Sequence, residues 1–109
     1  MDHPSRIRPL DHAVFDPGKM GKATLFRSGS LLAGLNCFEV GQEHALHSHA
    51  DTDKLYLVLE GEGDVLLDGR EIGLRAGEML AAPAGVPHGI RNTGASRLVV
   101  LTVLAPAPS

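Results

Sequence analysis

Short apolar runs separated by glycine and proline constrain this 109-residue chain more than any other feature of its sequence. No segment keeps an apolar period of 3.6 residues over three turns, so no amphipathic helix of ordinary length is predicted. The runs are rich in leucine and valine, and 13 glycines and 7 prolines divide the chain between them. This pattern predicts an all-β fold, a sandwich or small barrel of short antiparallel strands.

Nine strands are predicted between an irregular lead-in at residues 1–22 and an extended, proline-rich tail at Ala105–Ser109, so the barrel covers residues 23–104. The predicted strands are Ala23–Ser28, Leu31–Val40, a strand carrying His47 and His49, Lys54–Glu60, Asp64–Leu67, Arg70–Leu74, Met79–Ala82, His88–Arg91 and Ser96–Leu104. Asp68-Gly69 predicts a two-residue type I′ hairpin turn, because aspartate and glycine tolerate its positive φ angles. Both faces of Leu31–Val40 are largely apolar, which is typical of a sheet covered on both sides.

Composition excludes several classes of function. The chain has the length of one domain, and its net charge of −3 comes without a basic cluster, so nucleic-acid binding is not expected. The only cysteine, Cys37, is predicted to be a buried, inert thiol; no internal disulfide can form, which fits a reducing cytoplasm. The N-terminus lacks the pattern of a signal peptide. No apolar run approaches the ~20 residues that a membrane-spanning helix needs.

His47 and His49 are the strongest candidates for chemistry. Residues two apart on a strand share a face and lie roughly 7 Å apart. Two such imidazoles can therefore bind one metal ion, at nitrogen–metal distances of about 2.0–2.2 Å. His88 is the candidate third ligand. Three neutral imidazoles suit Zn, Ni, Fe, Mn or Cu, and geometry has to choose among these metals.

Two spaced motifs resemble those of the cupin superfamily. The first is glycine, five residues, His-x-His, three or four residues, glutamate, six residues, glycine; it matches at Gly41, His47, His49 and Gly61. The second is glycine, five residues, Pro-x-Gly, two residues, histidine, three residues, asparagine; it matches at Gly77, Pro83, Gly85, His88 and Asn92. This resemblance implies a jelly-roll barrel of antiparallel strands that holds a metal at the three histidines, and it also suggests a homodimer. Apolar strands such as Leu98–Leu104 could leave surface for a second copy.

One position departs from the motif. Lys54 stands where the family has its glutamate, six residues before Gly61. An ammonium ~4 Å from a divalent ion would be repelled by about 8 kcal/mol at an effective dielectric constant near 20. Lys54 could point away and leave a three-histidine site, Asp53 could supply a carboxylate through a local bulge, or the site could hold no metal. An inward Lys54 is expected to pair with an anionic ligand.

The remaining candidates have plainer interpretations. Tyr56 shares a strand face with Lys54 and is a second candidate for the ligand pocket, although a core tyrosine is its ordinary role. His44 has the wrong strand parity to join His47, and it is expected to be solvated. Asn92 is expected to hold the end of the His88 loop through bonds to backbone groups.

The sequence thus predicts a small metal-binding cupin with an internal pocket for a small organic ligand. Lys54 indicates that this ligand is an anion. Dioxygenase, isomerase and lyase chemistry are all compatible with an open metal site beside three histidines, and the catalytic residues stay unassigned. The alternative is a non-catalytic module that binds a sugar or an acid, with or without metal. Fold alone does not decide between them.

Overall fold

The computed structural model describes residue 3 and residues 5–108, and within them the regular secondary structure is almost entirely β. Met1, Asp2, Pro4 and Ser109, which belong to the predicted lead-in and tail, lie outside the described residues. The strands are β1 (Gly21–Arg27), β2 (Leu32–Phe38), β3 (Glu43–His47), β4 (Asp53–Glu60), β5 (Glu62–Leu67), β6 (Arg70–Arg75), β7 (Met79–Ala82), β8 (His88–Arg91) and β9 (Leu98–Ala105). A short 3-10 helix at Pro9–His12 interrupts the lead-in.

The strands form two antiparallel sheets, as the all-β prediction requires. The five-stranded sheet has the order β1-β2-β9-β4-β7, and the four-stranded sheet has the order β3-β8-β5-β6. Several neighbouring strands, such as β2 and β9 or β3 and β8, come from distant parts of the chain, as they do in a jelly roll. The prediction of a jelly-roll barrel is therefore confirmed.

The core lies between the two sheets. Its buried members are Phe38, Tyr56, Val58, Val65, Leu74, Ala82, Ile90, Leu98 and Val100. A second apolar cluster lies on the outer face of the five-stranded sheet, where Leu35, Cys37 and Val99 pack under Ala13 and Phe15 of the lead-in. The two faces of β2 are thus both covered, as the sequence predicts, and the thiol of Cys37 is buried.

Turn chemistry fixes the hairpin between β5 and β6. Asp68 has a φ of 50° and Gly69 has a φ of 77°, so both central residues have the positive φ angles of the predicted turn. The register then pairs Leu67 with Arg70 directly across the turn. Most predicted strands differ from the observed ones only by one or two residues at their ends, where hydrogen bonding frays.

No helix in the described ranges is long and apolar enough to cross a membrane. The cytoplasmic location stays a prediction from the sequence.

Candidate metal centre

A β-bulge in β3 sets the direction of its histidines. The strand pairs with β8 so that His44 lies opposite Ile90 and His47 lies opposite His88, with a register shift between them. Two residues of β3, Ala45 and Leu46, therefore face the single residue Gly89. A side chain at Gly89 would meet the carbonyl oxygen of His44 at 2.9 Å and the amide nitrogen of Leu46 at 3.1 Å, so only glycine leaves room for the bulge.

The predicted strand that carries both His47 and His49 is shorter in the structure. β3 ends at His47, and His49 lies in the loop that follows. The strand argument for these two residues was therefore wrong in its detail. The rings nonetheless converge, with centroids 5.2 Å apart, because the loop returns toward the barrel.

The turn at residues 83–87 holds the His49 loop in place. The amide of Gly85 donates a hydrogen bond of 2.7 Å to the carbonyl oxygen of His49. The amide of Ala84 donates another, of 2.8 Å, to Oδ1 of Asp53. The same turn leads into β8, so it links the loop of one candidate ligand to the strand of another.

Three histidines gather at one point inside the mouth of the barrel. The ring of His88 lies 4.4 Å from that of His47 and 5.7 Å from that of His49, between centroids. One nitrogen from each residue lies within 4.8 Å of the other two. The structure thus brings together the three residues that the sequence singled out, in a group that could hold a metal ion.

Backbone hydrogen bonds set the tautomers of two of these rings. Nδ1 of His47 lies 2.7 Å from the carbonyl oxygen of Ala45, and Nδ1 of His88 lies 2.9 Å from that of Val86. A carbonyl only accepts, so each Nδ1 carries the proton and each Nε2 keeps a lone pair. Both Nε2 atoms are buried and have no hydrogen-bond partner. Buried polar atoms normally have partners, and metal-binding histidines use this same backbone anchoring. The residues fit a bound metal.

Burial favours the neutral form of these rings. It lowers the pKa of His47 and of His88, and the positive charge of Lys54 lowers both further. Neutral imidazole is the form that binds metal. His47 and His88 are therefore ready to ligate at neutral pH.

His44 is the residue that the parity argument missed. Its ring centroid lies 4.3 Å from that of His47, and its Nδ1 is buried without a partner. Burial, followed by the charge of Lys54, lowers the pKa of His44 to about 3. The expectation of a solvated His44 was wrong because the bulge reverses strand parity between residues 44 and 47. Gly89 could have indicated the bulge from the sequence, but only if the pairing of β8 with β3 had been known.

Lys54 and Tyr56 both point into the barrel, as their shared parity predicts. The side chain of Lys54 is only 3% exposed, and its Nζ lies 4.8 Å from the centroid of the Tyr56 ring. Burial, and then the charge of Lys22, lowers the pKa of Lys54 from 10.5 to about 8. Burial raises the pKa of Tyr56, whose hydroxyl has no hydrogen-bond partner.

Asp53 does not join the histidines. It is exposed, on the face of β4 opposite to Lys54, and its carboxylate bonds the turn at Ala84 instead. Asp53 is therefore not placed as a ligand, and the expectation that Lys54 could point away from the site is not met either, since Lys54 lines the same cavity as His47 and His49. Asn92 is buried and donates through Nδ2 to the carbonyls of Phe38 (3.2 Å) and Ser96 (2.9 Å), which confirms its structural role.

A cavity of about 280 Å³ opens beside the histidines. It lies against the inner face of the five-stranded sheet. Its side chains include Lys22, Asn36, His44, His47, His49, Lys54 and Thr102.

Comparison with known proteins agrees with this architecture. The sequence pattern of the cupin domain family matches residues 34–104, which is more than half of the chain. The crystal structure of TT1209 from Thermus thermophilus superimposes with a TM-score of 0.89 and 41% sequence identity, over 94% of this chain and 98% of that chain.

Two relatives with names that describe a function match a shorter part. The oxalate-binding protein of Thermotoga maritima is 33% identical over 64 residues, which are 59% of this chain and 53% of that protein. The quercetin 2,3-dioxygenase of Bacillus subtilis is 39% identical over 64 residues, which are 58% of this chain and 19% of that enzyme. The match therefore spans about half of the first relative and a fifth of the second.

Proposed function

Because the chain belongs to the cupin family, we propose that it binds one divalent transition metal through His47, His49 and His88, beside a pocket for a small organic ligand. The pair of buried, unpartnered Nε2 atoms on His47 and His88 supports this most directly. The proton of each ring is fixed on Nδ1, so Nε2 is the nitrogen left to ligate. Zn, Ni, Fe, Mn and Cu all suit such a donor set.

A metal at this point would act as a Lewis acid or activate water or oxygen. The chain's own residues would bind and orient the ligand. His47, His49 and Lys54 all line the cavity, so a ligand bound in the cavity would lie next to the metal. The buried apolar core behind Tyr56 keeps bulk water from the inner end.

The relatives favour two different uses of this site. A relative named quercetin 2,3-dioxygenase supports an oxygenase, and isomerase or lyase chemistry fits the same open site. A relative named oxalate-binding protein supports a module that binds without catalysis. No carboxylate from the described residues lines the cavity, so a general base there would have to be His44 or Lys54.

Metal analysis tests the proposal. We expect protein purified without added metal to contain close to one metal ion per chain, measured by inductively coupled plasma mass spectrometry. His88→Ala should lose it, because two imidazoles hold a metal far less tightly than three. His12→Ala is the matched control, since His12 is exposed on the lead-in. Equal metal content in His88→Ala and the parent protein would refute the three-histidine centre.

We also propose that the protein is a homodimer. On the outer face of the five-stranded sheet, apolar side chains from neighbouring strands lie side by side in one row. They are Phe26, Ala33, Val103, Leu55 and Ala81. Phe26 is 53% exposed in this row, and Met79 in the neighbouring row is 61% exposed. Contiguous apolar surface of this kind is typical of a contact between subunits. Sedimentation velocity should show a dimer, and a monomer at high concentration would refute it.

A further inference from the structure

Lys54 is a buried cation without a protein anion. On the five-stranded sheet it pairs with Leu104 on one side and Ala82 on the other, so its immediate neighbours offer no charge. Among residue 3 and residues 5–108, no carboxylate forms an ion pair with it. A buried charge without a partner is strongly unfavourable, which points to a partner from outside the chain.

The only charged side chains among the described residues that line the cavity, Lys54 and Lys22, are both cations. Lys22, which is exposed, lines the same cavity and is near enough to act on the charge of Lys54. Asn36 and Thr102, both buried, add an amide and a hydroxyl to the wall. No aspartate or glutamate of the described chain contributes to the lining. A divalent ion on the three histidines would add further positive charge.

We infer that this cavity binds a small organic dianion, with one carboxylate paired to Lys54 and a second facing Lys22. The inference deepens the proposed function and rests on its ligand pocket. The volume of about 280 Å³ equals that of about nine liquid water molecules, so a short dicarboxylate fits. Tyr56, whose hydroxyl has no hydrogen-bond partner, lies on the same strand face two residues from Lys54.

The simpler interpretation is that Tyr56 alone accommodates Lys54. The ammonium lies 4.8 Å from the ring centroid, within the range of a cation–π contact. That contact would explain the position of Lys54 without any ligand. It does not explain why Lys22 joins a cavity that has no acidic side chain among the described residues.

Isothermal titration calorimetry with malonate, acetate and malonamide separates the two interpretations on the parent protein as purified. We expect malonate to bind at least tenfold more tightly than acetate, and malonamide, its neutral analogue, to bind at least tenfold more weakly than malonate. Equal affinities for malonate and malonamide would overturn the inference. Equal affinities for malonate and acetate would overturn the assignment of a dianion. Neither comparison depends on a variant folding.

Variants then locate the charge. Lys54→Met should weaken malonate binding by about 10- to 100-fold, the usual size of a charge-assisted hydrogen bond. Lys22→Met should weaken malonate binding by a few-fold and leave acetate binding unchanged, because an exposed ion pair contributes little. Lys19→Met is the matched control, since Lys19 is exposed and does not line this cavity.

Metal content measured on the same samples keeps the two proposals apart. A normal metal content with identical malonate binding by the parent protein and Lys54→Met would overturn the inference and leave the metal centre standing. Malonate binding that depends on Lys54 in protein treated with chelator and free of metal would support the inference even where the metal centre fails.

Discussion

Replacing Lys54 with methionine is expected to stabilise the folded protein at neutral pH. Lys54 is 3% exposed, and burial together with the charge of Lys22 lowers the pKa of its ammonium from 10.5 to about 8. One pKa unit corresponds to about 1.4 kcal/mol, so holding this charge inside the barrel costs about 3 kcal/mol. Methionine has a similar length and no charge, and it removes that cost.

The pH dependence follows from the direction of the shift. Between the folded-state pKa near 8 and the unfolded value of 10.5, the unfolded chain binds more protons at Lys54 than the folded chain does. The stability of the parent protein therefore rises with pH across this window, and below pH 8 the full cost is present. The advantage of Lys54→Met should be largest at pH 7 and about 3 kcal/mol smaller at pH 10.5.

Urea unfolding at pH 7 and pH 10.5 measures this difference, in buffer with chelator and without organic acids. Any gain from burying the methionine side chain is the same at both pH values and cancels. Lys19→Met, at an exposed position, should show no such pH-dependent difference. If the advantage of Lys54→Met changes by less than about 0.5 kcal/mol between the two pH values, the ammonium reaches water and our account of Lys54 is wrong.

Three further substitutions test how the site is supported. Asp53→Ala should cost about 1 kcal/mol of stability in urea unfolding, because it removes the bond to the Ala84 amide, and should leave the metal content unchanged; loss of the metal would restore Asp53 as a ligand. Gly89→Ala should reduce both stability and metal affinity, since its methyl group would meet the His44 carbonyl at 2.9 Å; unchanged metal binding in a dialysis titration would show that the bulge is not needed. Asn92→Ala should cost about 2–3 kcal/mol in urea unfolding, because it leaves buried carbonyls such as that of Phe38 unpaired; a cost under about 0.5 kcal/mol would contradict its structural role.

The local pattern of the sequence determined the strands and most turns. Leucine- and valine-rich runs between glycines predicted most strand positions to within one or two residues, and Asp68-Gly69 specified its own turn. These features depend on neighbours along the chain, so they can be read without knowing the fold. The spacing of the two motifs also selected His47, His49 and His88.

Only the tertiary structure decided what surrounds those histidines. The bulge in β3 arises from the pairing of two residues against Gly89, and that pairing joins segments more than 40 positions apart. It turned His44 inward against its sequence parity. The fixed tautomers of His47 and His88, the outward Asp53 and the uncompensated charge of Lys54 likewise depend on which groups the fold places nearby. The protonation state and the hydrogen bonds of a side chain depend on its neighbours in space. Those neighbours are known only once the pairing of the strands is known.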